Sequence, residues 1–275
     1  MLQLQLINRI PYRDISLSDN DLVYSLCALS DDVVLLACGE AGLRAVSLNN
    51  SQLSPQFNLY KMRGIEVNGV ALDERTDTLL LVEVSSFVKT MYWELVSLRR
   101  DRTGWTEVTR LATDIPRGAI FDIAVCDSRV LIRVRGETNR NGPLHVFNVS
   151  ANHSVSAAGC VQMKQQKYGR SYGLACARRG NNTYPYIAFT RDSSVSLHWL
   201  VSQPLSFEHI MSFKLKRPIR LLFHGGLVLV ADWNSNLQSQ DIVSLRVSAI
   251  GLTDKRVLLG AEADIQVGTW AFAGN

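Results

Sequence analysis

The feature that most constrains this chain is a recurrence of short apolar runs in groups of four. Residues 22–48 read LVYSLCALSDDVVLLACGEAGLRAVSL, three apolar runs separated by Ser30-Asp31-Asp32 and by Gly39-Glu40-Ala41-Gly42, and QFNLYKM follows at 56–62. Runs this short, bounded by Gly, Asn, Asp and Ser, mark strands rather than helices. The same grammar returns as IEVNGVAL, TLLLVEV, MYWELVSL and WTEVTRL between 65 and 111, and as FDIAVC, VLIRVRG, LHVFNVS and SAAGCVQM between 121 and 163. It returns again as YGLACAR, YIAFTR, VSLHWLV and FEHIMSFKL between 172 and 215, then as IRLLFHG, LVLVADW, DIVSLRV and KRVLLGA between 219 and 261. Nowhere does a long window show apolar residues at the helical spacing.

Four short strands joined by polar turns make one antiparallel sheet, and such a sheet buries both its faces only when neighbours stack on it. First strands begin near 22, 65, 121, 172 and 219, a period between the ~40 to 45 residues of WD repeats and the ~50 of kelch repeats. The expectation is an all-β chain: a β-propeller of four-stranded antiparallel blades in a single domain spanning 1–275. Five blades are readable, at about 22–62, 65–112, 119–164, 171–216 and 218–262. Terminal strands at 1–10 and 265–272 belong either to a five- or six-bladed closure or to a longer propeller of which this is a piece.

Hydrophobic residues make up 47% of the 275, enough for a sizeable core. Apolar runs such as LLLV at 79–82 and LVLVA at 227–231 are far shorter than the ~18 residues a membrane span needs. The opening MLQLQLINRIPYRD alternates like a strand and lacks the basic start and apolar centre of a secretory signal. The five cysteines, Cys27, Cys38, Cys126, Cys160 and Cys176, form no C-x-x-C pair, which suits reduced core cysteines in a cytoplasmic or nuclear setting. A net charge of +4 names no partner by itself.

The five units resemble blades of the WD-repeat and NHL β-propeller superfamily over nearly the whole chain. The WD signature itself is absent, since third strands end at Ser47-Leu48, Ser97-Leu98, Val149-Ser150 and Arg246-Val247. The resemblance is therefore to a diverged member. It implies a non-catalytic scaffold that binds other proteins, with Trp233, Trp105, Arg99, Arg100 and Arg102 as contact residues.

Two stretches resemble narrower families. VNGVALDERTDTLLLVEV (67–84) and LVLVADWNSN (227–236) are similar to segments of NHL repeats and gluconolactonase-type propellers, whose channel mouths hold a divalent cation. That resemblance implies a metal-dependent lactonase or esterase-like hydrolase as the alternative, with Asn68 matching the metal-binding Asn and Asp232 a neighbouring carboxylate. Tyr24 and Ser25 stand where the family's first-blade Glu is expected, and Asn68-Gly69 also reads as a bend in an inner strand. ARRGNNTYPYIAFT (177–190) resembles the phosphoinositide-binding F-R-R-G motif of PROPPIN propellers, with Ala177 in place of the aromatic. Arg178 and Arg179, with Lys164, Lys167 and Arg170, would then hold a phosphoinositide or a nucleic acid. The same residues read equally as a solvated turn, and this third function is not the favoured one.

His145, His153, His198, His209 and His224 show no metal-ligand spacing, although His198 and His209 fall on neighbouring strands of one unit. There is no nucleophile elbow, Walker loop or dinucleotide turn. Catalytic residues, cofactor and metal are accordingly all expected to be none.

Overall fold

The computed structural model describes residues 23–49, 66–84, 92–102, 104–116, 120–135, 141–162, 173–177, 185–191, 194–215, 218–224, 227–234, 242–251 and 257–266. These form strands and turns, and contain no helix long and apolar enough to cross a membrane. The first sheet holds β1 (Ser25–Ser30), β2 (Val33–Ala37) and β3 (Leu43–Ser47) in that order. The second holds β4 (Glu66–Asp73), β5 (Thr78–Val84), β6 (Tyr92–Asp101) and β7 (Gly104–Pro116). The third holds β8 (Ile120–Cys126), β9 (Arg129–Arg135), β10 (Asn141–Val149) and β11 (Val155–Val161). The fourth holds β12 (Leu174–Ala177), β13 (Tyr186–Arg191), β14 (Ser194–Ser202) and β15 (Leu205–Lys214). The fifth holds β16 (Pro218–His224), β17 (Leu227–Asn234), β18 (Ile242–Gly251) and β19 (Val257–Gln266).

Within each sheet every strand bonds to the next one in sequence, as short turns require. The expected strand QFNLYKM and the strand at 1–10 lie outside the described residues. β19 continues to Gln266 opposite Ile242, so the first two residues of the expected strand at 265–272 belong to the outer strand of the fifth sheet. Residues 267–272 lie outside the described residues.

The chain divides chiefly into two compact units, Leu6–Leu131 with Val146–Ala158 and Ile132–His145 with Gly159–Gly274. In the first of them, alternation along each strand puts Val33, Leu35, Ala37, Leu43 and Ala45 of the first sheet against Val67, Leu79, Leu81, Val96, Leu98 and Trp105 of the second. Each such side chain, taken out of water, contributes roughly 1.5 to 3 kcal/mol before the entropy of ordering is set against it. In the second unit, Ala175, Ala188, Val195 and Leu197 of the fourth sheet pack with Leu221, Val228 and Val230 of the fifth.

Two glycines are demanded by these contacts. Gly39, in the left-handed region at φ 58°, exchanges two backbone hydrogen bonds with Val67 of β4, at 2.9 and 3.0 Å. The Gly39-Glu40-Ala41-Gly42 turn thereby docks on the second sheet. A Cβ at Gly69 would stand 2.9 Å from Cγ2 of Val82 and 3.5 Å from Cγ2 of Ile123, so its lack of a side chain lets the third sheet approach the second.

Candidate functional site

The β6–β7 hairpin carries three of the expected contact residues in the open. Arg99, Arg100 and Arg102 are all exposed, and the turn between the strands is fixed by Asp101, which accepts hydrogen bonds from the Gly104 amide at 3.0 Å and from the Thr106 hydroxyl. Trp105, opposite Arg100 in the ladder, is only 8% exposed and packs into the core of the first two sheets. Its indole therefore offers a partner little surface, and the arginines are what the hairpin displays. The backbone of Trp233 sits in β17 opposite Leu245, while its side chain lies outside the described residues. Lys164, Lys167, Arg170, Arg178 and Arg179 also lie outside the described residues.

A second exposed feature lies outside the expected contact residues. Trp199 of β14 is 37% exposed, faces Tyr186 of β13 with ring centroids 6.3 Å apart, and pairs on its other side with Glu208 of β15. In the run VSLHWLV, Trp199 alternates with Val195, Leu197 and Val201, all of them buried, so strand periodicity alone places it inside.

The two histidines expected on neighbouring strands do meet. His198 and His209 are ladder partners with ring centroids 5.1 Å apart, edge to face, and Phe207 lies 5.7 Å from His198. His198 is buried, whereas His209 is exposed with Nε2 2.9 Å from the Ser212 hydroxyl. The described residues contain no group of three or more His, Cys, Asp or Glu side chains that would hold a metal ion.

Asn68 lies where the ladder between β4 and β5 shifts, Val67 facing Glu83 and Gly69 facing Val82. The bend read from Asn68-Gly69 is thus present as a bulge. The Asn68 amide donates to the Glu66 carboxylate at 3.4 Å, and its Oδ1 is buried without a hydrogen-bond partner. Glu66 is 9% exposed. Asn68 thus turns its NH2 toward Glu66 and its oxygen elsewhere, so the two side chains bond to each other rather than converging as oxygen donors. The side chain of Asp232, the third residue the lactonase resemblance brought in, is outside the described residues.

The most charged cluster in the second sheet was not anticipated. Arg110 of β7 donates from Nη1 to Glu83 at 2.9 Å and to Glu94 at 2.6 Å, and grips both carboxylate oxygens of Glu107 from Nε and Nη2 at 3.2 and 3.0 Å. Burial alone would lower its pKa, but the carboxylates of Glu107, Glu94 and Glu83 push it above the ordinary arginine range. Glu83 and Glu94 are ladder partners, on the face that also carries Leu81 and Val96. The sequence signal was present: Glu83 interrupts the otherwise apolar TLLLVEV, and a carboxylate at such a position needs a cation.

No family model matches the chain, and no curated protein matches it. Solved structures do. A chain of a nidogen–laminin complex superposes with a TM-score of 0.55 at 10% identity, over 87% of this chain and 80% of that one. The WD40 β-propeller domain of Doa1 gives 0.50 at 11% identity, over 88% and 68%. A Thermus thermophilus protein named as an oxidoreductase of the glucose dehydrogenase type gives 0.51 at 15% identity, over 88% and 84%. The chain is a diverged β-propeller. Among the described residues, four of its sheets show four antiparallel strands and the first shows three, the layout of propeller blades. Likeness at such identities fixes the fold of the propeller and leaves its function to the side chains.

Proposed function

We propose that this propeller is a non-catalytic scaffold that binds other proteins, in a reducing compartment such as the cytoplasm. The observation that carries the reading is the Tyr186–Trp199 pair, a half-buried and an exposed ring held together on neighbouring strands of one blade. Tyr, Trp and Arg are the side chains that dominate binding energy when an interface closes over them. Arg99, Arg100 and Arg102 on their hairpin offer the charged counterpart. The five free cysteines agree with a reducing setting. Among the structural neighbours, one comes from a protein–protein complex.

Affinity capture with the intact chain and with Trp199→Ala, followed by binding measurements on any partner found, tests this. Loss of a hot-spot tryptophan weakens binding roughly 30-fold or more while thermal unfolding stays cooperative. A partner bound equally well by Trp199→Ala and by the triple Arg99→Ala, Arg100→Ala, Arg102→Ala variant would refute this placement of the interface.

A second reading is favoured by one observation, the buried and unpartnered Oδ1 of Asn68, whose Nδ2 bonds the Glu66 carboxylate. In this reading the blade holds a divalent cation for ester or lactone hydrolysis. A calcium-dependent rise in melting temperature that Asn68→Ala abolishes supports it; an unchanged melting curve removes it.

A further inference from the structure

Four side chains join the second and third blades at their turn ends, all within the unit Leu6–Leu131 with Val146–Ala158. Thr76 Oγ1 lies 2.7 Å from Asp73 Oδ2 and 2.6 Å from Thr78 Oγ1, and Thr78 Oγ1 lies 2.9 Å from Nδ1 of His153. Asp73 and Thr78 are buried, at 3% and 0% exposure, and His153 is half-buried in the β10–β11 turn. The backbone supports this placement. His153 is held at φ 66°, with its amide bonded to the Ser150 carbonyl at 2.9 Å.

Proton accounting settles the direction of this chain. A carboxylate only accepts hydrogen bonds, and each hydroxyl has one proton to give. Thr76 must give its proton to Asp73, so the proton between Thr76 and Thr78 comes from Thr78. Thr78 then has none left, and the proton between Thr78 and His153 sits on Nδ1. We infer that the Asp73 carboxylate, acting through Thr76 and Thr78, holds His153 in the Nδ1–H form and leaves Nε2 with the lone pair. Asp73 is a positioning residue in this arrangement: it touches the imidazole only through two hydroxyls, yet sets which nitrogen carries the lone pair.

Neither tautomer nor protonation is visible in heavy-atom positions, so the test reads the nitrogens. The full chain, labelled with 15N at histidine, is followed by NMR at mildly alkaline pH, with the His153 signals assigned by their loss in His153→Gln. The expected spectrum shows a protonated Nδ1 and a bare Nε2, the reverse of what free histidine prefers in water. Asp73→Ala removes the terminal acceptor, which frees the Thr76 and Thr78 protons and returns His153 to the mixture of free histidine. Thr78→Val cuts the chain and returns His153 to the mixture of free histidine. A bare Nδ1 in the unaltered protein overturns the inference, with no variant needed. An Asp73→Ala spectrum identical to the parent's overturns the role of the carboxylate.

Discussion

The second and fourth blades share a ladder and differ in what they bury. In the second, β5, β6 and β7 bring Glu83, Glu94, Glu107 and Arg110 together on the face that carries Leu81 and Val96. In the fourth, β14 and β15 bring the rings of buried His198, exposed His209 and Phe207 together. Both ladders shift by a residue at the third strand, between Ser97 and Leu98 in one and between Leu197 and His198 in the other. The same architecture therefore tolerates a buried ion cluster or an aromatic one. The difference shows where this propeller is brittle. A cluster built from three carboxylates and a single guanidinium depends on one residue, whereas a ring cluster depends on shape.

The largest expected effect follows from that dependence. Arg110→Ala leaves Glu83, at 0% side-chain exposure, and two further carboxylates without their cation. Breaking a buried pair from one side costs about 3 to 5 kcal/mol, so urea unfolding monitored by circular dichroism shifts by that amount or the variant fails to fold. Replacing Glu83, Glu94 and Arg110 together by apolar residues of similar volume recovers most of the loss. If Arg110→Ala unfolds at the parent's urea concentration, the contrast between the blades collapses.

The fourth blade answers more gently. His198→Phe keeps an aromatic ring against Phe207 and adds a little volume, and modest overpacking of this kind costs about 1 to 3 kcal/mol. The same urea titration checks it, and a loss as large as that of Arg110→Ala would mean that His198 is held by polar contacts as essential as those of the ion cluster. Trp199→Ala is smaller still in stability, about 1 kcal/mol from the lost ring contact with Tyr186. Its effect on a bound partner exceeds its effect on the fold, which is what separates an interaction residue from a core one.

The blades were legible because period-2 alternation and short polar turns are local signals, and the inner strands expected near 65, 121 and 172 begin at Glu66, Ile120 and Leu174. What escaped the sequence is whatever depends on contacts between distant strands. Arg110 lies 27 residues from Glu83, and His153 lies 75 from Thr78. Trp105 is buried and Trp199 is open, because the first two sheets enclose the one in a shared core that forms only when distant strands meet. Asn68-Gly69, by contrast, announced its bulge through glycine chemistry within two residues.

The smallest effect probes the apolar core that the first and second blades share. Cys27 of β1 packs against that core, and burial, followed by the nearby Glu74 carboxylate, pushes its thiol up to about 12. A folded-state value above the unfolded one means that the neutral thiol contributes stability in full below the ordinary thiol range, and that this contribution fades as pH rises from about 9 toward 12. The difference in unfolding free energy between the parent and Cys27→Ala should therefore shrink across that window. Thiol labelling supplies the kinetic counterpart, since the thiolate is the reactive form. Cys160, exposed on β11, serves as the internal reference. At pH 8 the fast labelling phase disappears in Cys160→Ser and is untouched in Cys27→Ala. If Cys27 labels as fast as Cys160, the first blade opens to solvent far more often than a core shared with the second blade allows.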